Sequence, residues 1–332
     1  MTDTIEPGAD LIAEADAATE RLAAVKDSIG RVIFGLEKEV ELCLTALLSG
    51  GHTLLVGAPG LAKTRLVETI AVATGLDTKR IQFTPDLMPA DILGSEILEE
   101  SDDGKRHFRF LPGPIFCRLL MADEINRASP RTQAALLQAM QEGHVTVAGE
   151  RHDLPHPFHV LATQNPIEQE GTYPLPEAQL DRFLLRVDVP YPDRDAERQV
   201  LLATTGATAA EAIEVLNAEE IIKLQSLVRR LPVGEKVLEV ILDLLRLARP
   251  DESEIEAVRE GVSWGPGPRA GQAMMLACRA RALLQGRLAP STEDVAALAE
   301  SILKHRMALS FAARADGHTL EGLIQTLADQ AA

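Results

Sequence analysis

A glycine-rich segment between an apolar run and a helical pattern constrains this chain more than any other feature. The segment consists of Gly57, Ala58, Pro59, Gly60, Leu61, Ala62, Lys63 and Thr64. It follows the apolar residues 53–56 and precedes a helix-like run that starts at Arg65. A buried strand, a loop and a helix N-terminus in this order direct backbone N–H groups and the positive helix end toward one anion. The sequence therefore predicts a phosphate-binding loop in an α/β domain.

The last two residues of this loop indicate that the anion is a nucleoside triphosphate. Lys63 would reach the β- and γ-phosphates, and the Thr64 hydroxyl would ligate Mg²⁺. The general pattern has glycine before the lysine, whereas this chain has Ala62. Alanine can adopt the backbone conformation needed there if its φ stays negative, so this departure weakens the match to the general pattern without breaking it. The alternative is a Gly/Pro turn followed by Lys-Thr by chance, and the rest of the chain argues against it.

Length, charge and cysteine content narrow the class of protein. A chain of 332 residues predicts about two domains. The formal net charge of −17 argues against general binding to nucleic acids or anionic membranes. The three cysteines have neither metal-ligand spacing nor a disulfide framework, so we expect buried thiols in a reducing compartment. Because no apolar run approaches the ~20 residues of a membrane span, we expect a cytoplasmic protein.

The hydrophobic patterns divide the chain into three parts. Residues 1–10 are polar and acidic, which is typical of a disordered leader. Residues 11–192 contain short apolar runs separated by helical stretches, which predicts an α/β domain with a parallel sheet. Residues 193–332 contain amphipathic helical patterns, which predicts an all-α domain. The capping boxes expected to open helices in this part are Asn217 with Glu220 and Ser291 with Asp294.

Two carboxylates and an amide follow the next apolar runs. Asp123 and Glu124 end the run 119–122, and Asn165 follows the run 158–163. Strands buried on both faces deliver such residues to the edge where the phosphate loop lies. Asp123 would then hold Mg²⁺, Glu124 would act as general base toward water, and the Asn165 amide would bind the water and the γ-phosphate. An ordinary acidic turn and an Asn-Pro turn are the alternatives.

Arg182 ends a short helical pattern at residues 175–183. A guanidinium there can stabilise transition-state charge on a nucleotide bound by the neighbouring subunit. A surface ion pair with Asp181 or Glu177 is the alternative, and chemistry alone favours it.

In this order and combination, the motifs resemble those of MoxR-type AAA+ ATPases. The matching segments are 57–64, 122–128, 162–166, 176–183 and 267–270. The resemblance implies an AAA+ P-loop domain followed by a helical lid. It assigns Lys63 and Thr64 to Walker A, Asp123 and Glu124 to Walker B, Asn165 to sensor 1, Arg182 to the arginine finger and Arg269 to sensor 2. Arg269 is expected to link the lid to the γ-phosphate in the same subunit, and an alanine before the lysine is common in this family.

The resemblance also implies an activity and partners. It predicts a homo-oligomeric ring, a hexamer, that uses ATP and Mg²⁺ and hydrolyses ATP to remodel partner proteins. Such partners would carry a von Willebrand factor A domain, and the work would concern metal-cofactor insertion or enzyme maturation. Two alternatives stay open, namely a magnesium-chelatase-like ATPase subunit and a nucleotide-dependent scaffold without turnover.

Three further features have more than one interpretation. The turn at 31–35 suits an adenine pocket or a simple contact between helices. The insertions at 85–114 and 143–154 are predicted hairpins, either facing a central pore or lying on the surface. Four histidines lie near the second insertion, namely His144, His152, His156 and His159. They lack the i, i+4 helical spacing of a zinc motif, and we expect no metal site there.

Overall fold

A five-stranded parallel sheet forms the centre of the first domain in the computed structural model, which describes residues 8–100, 106–167, 171–206 and 210–331. In chain order its strands are β1 (Thr53–Val56), β2 (Thr78–Gln82), β5 (Leu119–Asp123), β8 (His159–Gln164) and β9 (Leu185–Asp188). Their spatial order is β2-β5-β8-β1-β9, and every neighbouring pair is parallel. Because β8 lies between β5 and β1, the ends of these three strands meet at one edge. The predicted parallel sheet is confirmed.

Helices cover the sheet, and some of them begin or end at a residue suited to that position. The α-helices of this domain are α1 (Ala9–Gly30), α2 (Glu37–Ser49), α3 (Lys63–Ala73), α4 (Pro89–Leu93), α5 (Pro130–Glu142), α6 (Glu177–Leu180) and α7 (Arg194–Thr205), with a 3₁₀ turn at Ile125–Arg127. For example, Ser129 caps α5 by accepting a hydrogen bond from the Thr132 backbone N–H, and Gly143 ends the helix in the left-handed conformation.

The first helix begins earlier than the sequence predicts. Residues 1–7 of the predicted disordered leader lie outside the described residues, but Ala9 and Asp10 already belong to α1. The leader prediction is therefore wrong for these two residues. The Asp10 carboxylate in the first turn favours this start, because the helix N-terminus carries positive partial charge.

Two antiparallel hairpins extend from the domain at the predicted insertions. They pair β3 (Gly94–Glu100) with β4 (Arg106–Pro112), and β6 (His144–Val147) with β7 (Glu150–Asp153). The acidic turn of the first hairpin, at 101–105, lies outside the described residues. Phe110 on β4 stacks on His152 on β7 with ring centroids 3.8 Å apart. The two hairpins therefore contact each other, and Leu98 and Phe108 on the first remain exposed.

The second domain is helical, as predicted. Its elements are α8 (Ala218–Arg230), α9 (Glu235–Leu247), α10 (Glu256–Gly261), β10 (Val262–Trp264), α11 (Pro268–Leu284), α12 (Thr292–Leu303), β11 (Ala308–Leu309), α13 (Phe311–Ala315) and α14 (Leu320–Ala331). Both predicted capping boxes form, at α8 and at α12. The antiparallel ribbon β10–β11 is an addition that the sequence analysis missed, because two or three residues carry no measurable periodicity.

The two domains share one apolar core. It includes Leu55 and Leu161 from the sheet together with Leu244 and Ile302 from the helical domain. A second core fills the opposite face of the sheet. The helical domain is thus packed against the first domain over an apolar surface.

Two remaining predictions concern cysteines and membrane spans. The cysteines at positions 43, 117 and 278 are free and buried, as predicted. Burial raises the pKa of the Cys43 thiol to about 12 and that of Cys117 to about 11. Among the helices of the described residues, none has both the length and the apolar content needed to cross a membrane.

Candidate active site

The predicted phosphate loop connects β1 to α3. Lys63 is the first residue of α3, and its ammonium donates hydrogen bonds to the carbonyl oxygens of Gly57 and Ala58, each at 2.7 Å. Gly60 has a φ of +82°, in the region that favours glycine. Partial burial lowers the pKa of Lys63, while Asp123 and Glu124 act in the opposite direction. The loop therefore holds the Lys63 ammonium group in place at the N-terminus of α3.

Ala62 does not meet the condition under which alanine is unstrained at this position. Its φ is +54°, in the left-handed region. An L-residue other than glycine adopts this conformation at a cost of about 1–2 kcal/mol. The reason is geometric, since the chain must reverse between the loop and α3 whatever residue stands there.

Thr163 joins the ends of β5 and β8. Its hydroxyl donates to Asp123 Oδ1 at 2.5 Å and accepts from the Glu124 backbone N–H at 2.8 Å. Glu124 itself has a φ of +55°. Of the three non-glycine residues with positive φ in the described part of the chain, Ala62 and Glu124 line the same pocket. Such strain is found where a surrounding structure fixes a functional residue.

Three further polar residues hold the two carboxylates, and the sequence analysis missed all of them. Arg80 on β2 pairs with Asp123 Oδ2 at 2.5 Å. Gln82 on the same strand donates to Glu124 Oε2 at 2.7 Å, and Arg127 donates to the same oxygen at 2.9 Å. For Arg80 and Gln82, the alternation of polar residues at the end of β2 was the available signal in the sequence. Only the pairing of β2 with β5 identifies the carboxylates that these two side chains contact.

Asn165 presents a hydrogen-bond donor without a partner. The residue is 4% exposed, and its Oδ1 accepts from the Ile167 backbone N–H at 3.0 Å. Its buried Nδ2 has no hydrogen-bond partner among the described residues. A buried amide donor without a partner is costly unless a ligand or water satisfies it.

These residues enclose one pocket, which we call the loop pocket. It has a volume of about 430 Å³, and its lining includes Lys63, Thr64, Asp123, Glu124 and Asn165. The hydroxyl of Thr64 and the carboxylate of Asp123 are hard oxygen donors of the kind that Mg²⁺ prefers. Together with the unpaired Asn165 donor, this set fits a nucleotide phosphate with Mg²⁺.

A small apolar pocket of about 90 Å³ adjoins the loop pocket. Ala62 and Arg65 line both pockets. The rest of its lining includes the turn at 31–34 and residues Val200 and Ala203 of α7. The turn that had two interpretations therefore lines a cavity next to the phosphate loop.

Arg182 and Arg269 lie in a different pocket, which we call the arginine pocket. It has a volume of about 310 Å³ and shares no lining residue with the loop pocket. Arg269, in the first turn of α11, has its Nη1 3.8 Å from the Asp181 carboxylate. Among the residues that the structure describes, the Arg182 guanidinium has no hydrogen bond or ion pair, so the alternative of a surface ion pair is not observed. The structure does not bring Arg269 to the loop of its own chain, and its sensor role stays a prediction.

The four histidines near the second insertion do not form one cluster. His159 is buried at the start of β8, 6.4 Å from His52 between ring centroids, whereas His152 stacks on Phe110 of the first hairpin. In the described ranges no group of three or more potential ligands could hold a metal ion.

The fold and the loop pocket define a P-loop nucleotide-binding protein with a helical lid, which is the architecture of an AAA ATPase. The model of the ATPase family associated with various cellular activities matches residues 52–185, and the AAA lid domain model matches residues 255–327.

Individual relatives identify the family within this class. The chain is 41% identical to chaperone MoxR1 of Mycobacterium tuberculosis, over 87% of this chain and 76% of that protein. It is 30% identical to protein MoxR of Methylorubrum extorquens, over 92% of each chain. A crystal structure of a Cytophaga hutchinsonii protein superimposes with a TM-score of 0.87 at 34% identity, covering 95% of both chains. The chain belongs to the MoxR family of AAA+ ATPases.

Proposed function

We propose that this chain hydrolyses ATP within a ring of identical subunits and uses the reaction to remodel partner proteins. The observation that carries the proposal is the convergence of the phosphate loop, the Asp123–Glu124 pair and the unpaired Asn165 amide in one pocket. A scaffold that only bound the nucleotide would not need a general base and a water-binding amide beside the loop.

The residues of the loop pocket have separate roles in this reaction. Lys63 exchanges its bonds to the Gly57 and Ala58 carbonyls for bonds to the β- and γ-phosphates. Thr64 and Asp123 would hold Mg²⁺, which would neutralise phosphate charge when bound. Glu124, kept in orientation by Gln82 and Arg127, accepts the proton of the attacking water. The Asn165 Nδ2 donates to that water or to the terminal phosphate.

The adjoining apolar pocket is the proposed site of the adenine base. It lies next to the loop through Ala62 and Arg65, and its walls include aliphatic and aromatic side chains from the turn at 31–34 and from α7. A flat, apolar base with a charged tail matches an apolar cavity that opens toward a phosphate site.

The arginine pocket is the proposed contact with the nucleotide of a neighbouring subunit. Arg182 lacks a partner within the described chain and does not line the loop pocket. Arg269 lines the same pocket, so we propose the neighbour's nucleotide as its target in place of the same-subunit contact that the family resemblance implies. A contact between two different faces of identical chains is head-to-tail, and such contacts generate rings when they close. The family resemblance makes this ring a hexamer.

The proposed clients are proteins with a von Willebrand factor A domain, in metal-cofactor insertion or enzyme maturation. The name chaperone, given to the Mycobacterium tuberculosis relative, supports a protein client. The net charge of −17 makes a nucleic-acid substrate unfavourable.

Two substitutions test the loop pocket. Lys63→Ala should lose nucleotide binding, because it removes the positive charge held against the phosphates. Glu124→Gln should bind ATP normally but hydrolyse it at least about 10²-fold more slowly, because an amide cannot accept the proton. ATP affinity and steady-state phosphate release measure both effects. Undiminished hydrolysis by Glu124→Gln would remove Glu124 from the mechanism.

Mixed subunits test the arginine pocket. Arg182→Ala should bind ATP while hydrolysis falls by a factor of about 10³–10⁵. A mixture of Arg182→Ala with Lys63→Ala contains interfaces that pair an intact Lys63 pocket with an intact Arg182. Hydrolysis should partly return in the mixture although each variant alone is inactive. No recovery in a single-turnover assay of demonstrably mixed assemblies would contradict action on the neighbour's nucleotide.

A further inference from the structure

Arg306 is a buried arginine of the lid that contacts the segment carrying Arg182. Arg306 is 2% exposed to solvent and lies shortly after the end of α12. Its Nε donates to Asp181 Oδ1 at 2.7 Å, and its Nη2 donates to the Phe183 carbonyl at 2.6 Å. A buried guanidinium is costly unless its donors are satisfied, and this one is satisfied by the residues on either side of Arg182.

Further bonds extend the same contact. Arg306 Nη1 donates to the Leu184 carbonyl at 3.2 Å, and Nη2 also donates to the Asp181 carbonyl at 3.3 Å. Only the Ile302 carbonyl, bound by Nη1 at 2.7 Å, belongs to the lid itself. The planar guanidinium therefore joins the end of α12 to the backbone at 181–184, which a flexible ammonium group could not do with the same geometry.

The contact fixes the backbone around Arg182, whereas the Arg182 guanidinium has no hydrogen bond to any residue that the structure describes. The buried His305 ring adds a contact at 3.1 Å from its Nε2 to the Phe183 carbonyl. On the open side, Asp181 Oδ2 faces Arg269 at 3.8 Å, so the Asp181 carboxylate lies between a lid arginine that is buried and one that is exposed. The segment at 181–184 is thus held from the lid and not only from the sheet.

We propose that Arg306 is the positioning residue for Arg182, which it attaches to the lid so that both move as one body toward the neighbouring subunit's nucleotide. This proposal rests on the function proposed above, in which Arg182 acts on the nucleotide of the neighbouring subunit. It predicts that a change at Arg306 damages the arginine pocket of its own chain and leaves that chain's loop pocket intact.

Arg306→Met tests this, because methionine fills the buried site but donates no hydrogen bond. ATP affinity should stay near that of the wild type, and hydrolysis should fall more than about tenfold, since an arginine finger is worth about 10³–10⁵ in rate. Arg306→Lys keeps the positive charge beside Asp181 without the planar guanidinium. Its rate of hydrolysis should lie between those of the wild type and Arg306→Met. Arg287→Met is the matched control, because Arg287 pairs with the buried Asp294 inside the lid and should leave hydrolysis unchanged.

Mixed assemblies separate positioning from general structural support. Arg306→Met mixed with Lys63→Ala should regain hydrolysis, because the first variant supplies the loop pocket and the second supplies Arg182. Arg306→Met mixed with Arg182→Ala should stay inactive, because both damage the same face. A structural defect would instead remove ATP binding by Arg306→Met and prevent the recovery with Lys63→Ala.

The outcomes distinguish this proposal from the one on which it rests. Full hydrolysis by Arg182→Ala would overturn the role of Arg182. Full hydrolysis by Arg306→Met alongside an inactive Arg182→Ala would overturn only the role of Arg306. Recovery of hydrolysis in the mixture of Arg306→Met with Arg182→Ala would overturn it as well. If Arg306→Met does not fold, the same mixtures made with Arg306→Lys decide the question.

Discussion

At the scale of single residues, backbone strain is concentrated beside the proposed chemistry. Ala62 and Glu124 both have positive φ and line the loop pocket. Glu124 is held there by Thr163, Gln82 and Arg127, whereas Ala62 is exposed and has no side chain beyond Cβ to hold it. The strain at Ala62 therefore reflects the path of the loop alone.

Ala62→Gly should stabilise the protein. The left-handed conformation costs alanine about 1–2 kcal/mol, and the greater freedom of glycine in the unfolded chain offsets about 0.4–1 kcal/mol of that gain. The free energy of unfolding should rise by about 0.8 kcal/mol, the difference between the middle values of these two ranges, measured by urea denaturation without nucleotide. Ala13→Gly, at an exposed position inside α1, is the matched control and should lower it by about 0.5–1 kcal/mol. If Ala62→Gly and Ala13→Gly lowered the free energy of unfolding equally, Ala62 would not be strained.

The sequence predicts the site residues that directly follow strands. It does not predict the residues on a neighbouring strand that contact these site residues. Lys63, Asp123 and Asn165 come together because parallel strands end at a common edge, and order along the chain is enough to predict this. Arg80 meets Asp123 only because β2 pairs with β5 in one particular register. That register depends on tertiary packing, which no local pattern contains.

At the scale of elements, two buried histidines connect the amino ends of β1 and β8. His52 accepts a hydrogen bond from the Val160 backbone N–H at Nδ1, 3.0 Å, and its Nε2 donates to the Met140 carbonyl at 3.1 Å. His159 donates from Nδ1 to the Gly51 carbonyl at 3.0 Å, and its Nε2 lies 3.0 Å from the Gln225 amide nitrogen on α8. Each ring therefore serves as donor and acceptor, which only a neutral histidine can do.

These histidines should make the protein less stable in mild acid. Burial lowers the pKa of His52 to about 4 and that of His159 to about 3, from 6.5 when unfolded. Between about pH 6.5 and pH 4 the unfolded chain binds more protons, so the free energy of unfolding falls as the pH falls. Each histidine contributes at most about 1.4 kcal/mol per pH unit in this range. Denaturation at pH 7.5, 6 and 5 measures the slope.

Substitution isolates the contribution of one ring. His159→Gln should lower stability at pH 7.5 but make its dependence on pH weaker between pH 6.5 and 5. His318→Gln removes an exposed histidine and should leave the slope unchanged. A slope that is the same in His159→Gln as in the wild type would show that His159 is protonated in the folded protein.

The elements themselves were predictable to different degrees. Apolar runs with helical stretches between them predict a parallel sheet, but the strand order β2-β5-β8-β1-β9 is a property of the packed sheet. The ribbon β10–β11 was missed because its strands are too short to show a period of two. The capping boxes of α8 and α12 were predictable, because the capping interaction spans only four residues.

At the scale of the whole molecule, the loop pocket and the arginine pocket are separate, and this separation supports the proposed assembly. The loop pocket contains Lys63, Thr64, Asp123, Glu124 and Asn165, while Arg182 and Arg269 lie in the arginine pocket. In the proposed ring, a second copy would supply these arginines to the nucleotide of its neighbour. Hydrolysis would then depend on assembly, and the lid of one subunit would respond to the nucleotide of the next through Arg306.

A hydrolysis-deficient ring should retain its client when ATP is present. Glu124→Gln leaves Lys63, Thr64 and Asp123 intact, so it should bind ATP and remain in the ATP-bound arrangement, in which a remodelling ATPase holds its partner. Affinity purification of tagged Glu124→Gln with ATP should recover a protein with a von Willebrand factor A domain, identified by mass spectrometry. Lys63→Ala is the matched control, because it lacks nucleotide and should not retain the partner. Equal recovery by both variants would show that the association is independent of ATP, and recovery of a porphyrin-binding subunit would favour the chelatase-like alternative over a protein-remodelling role.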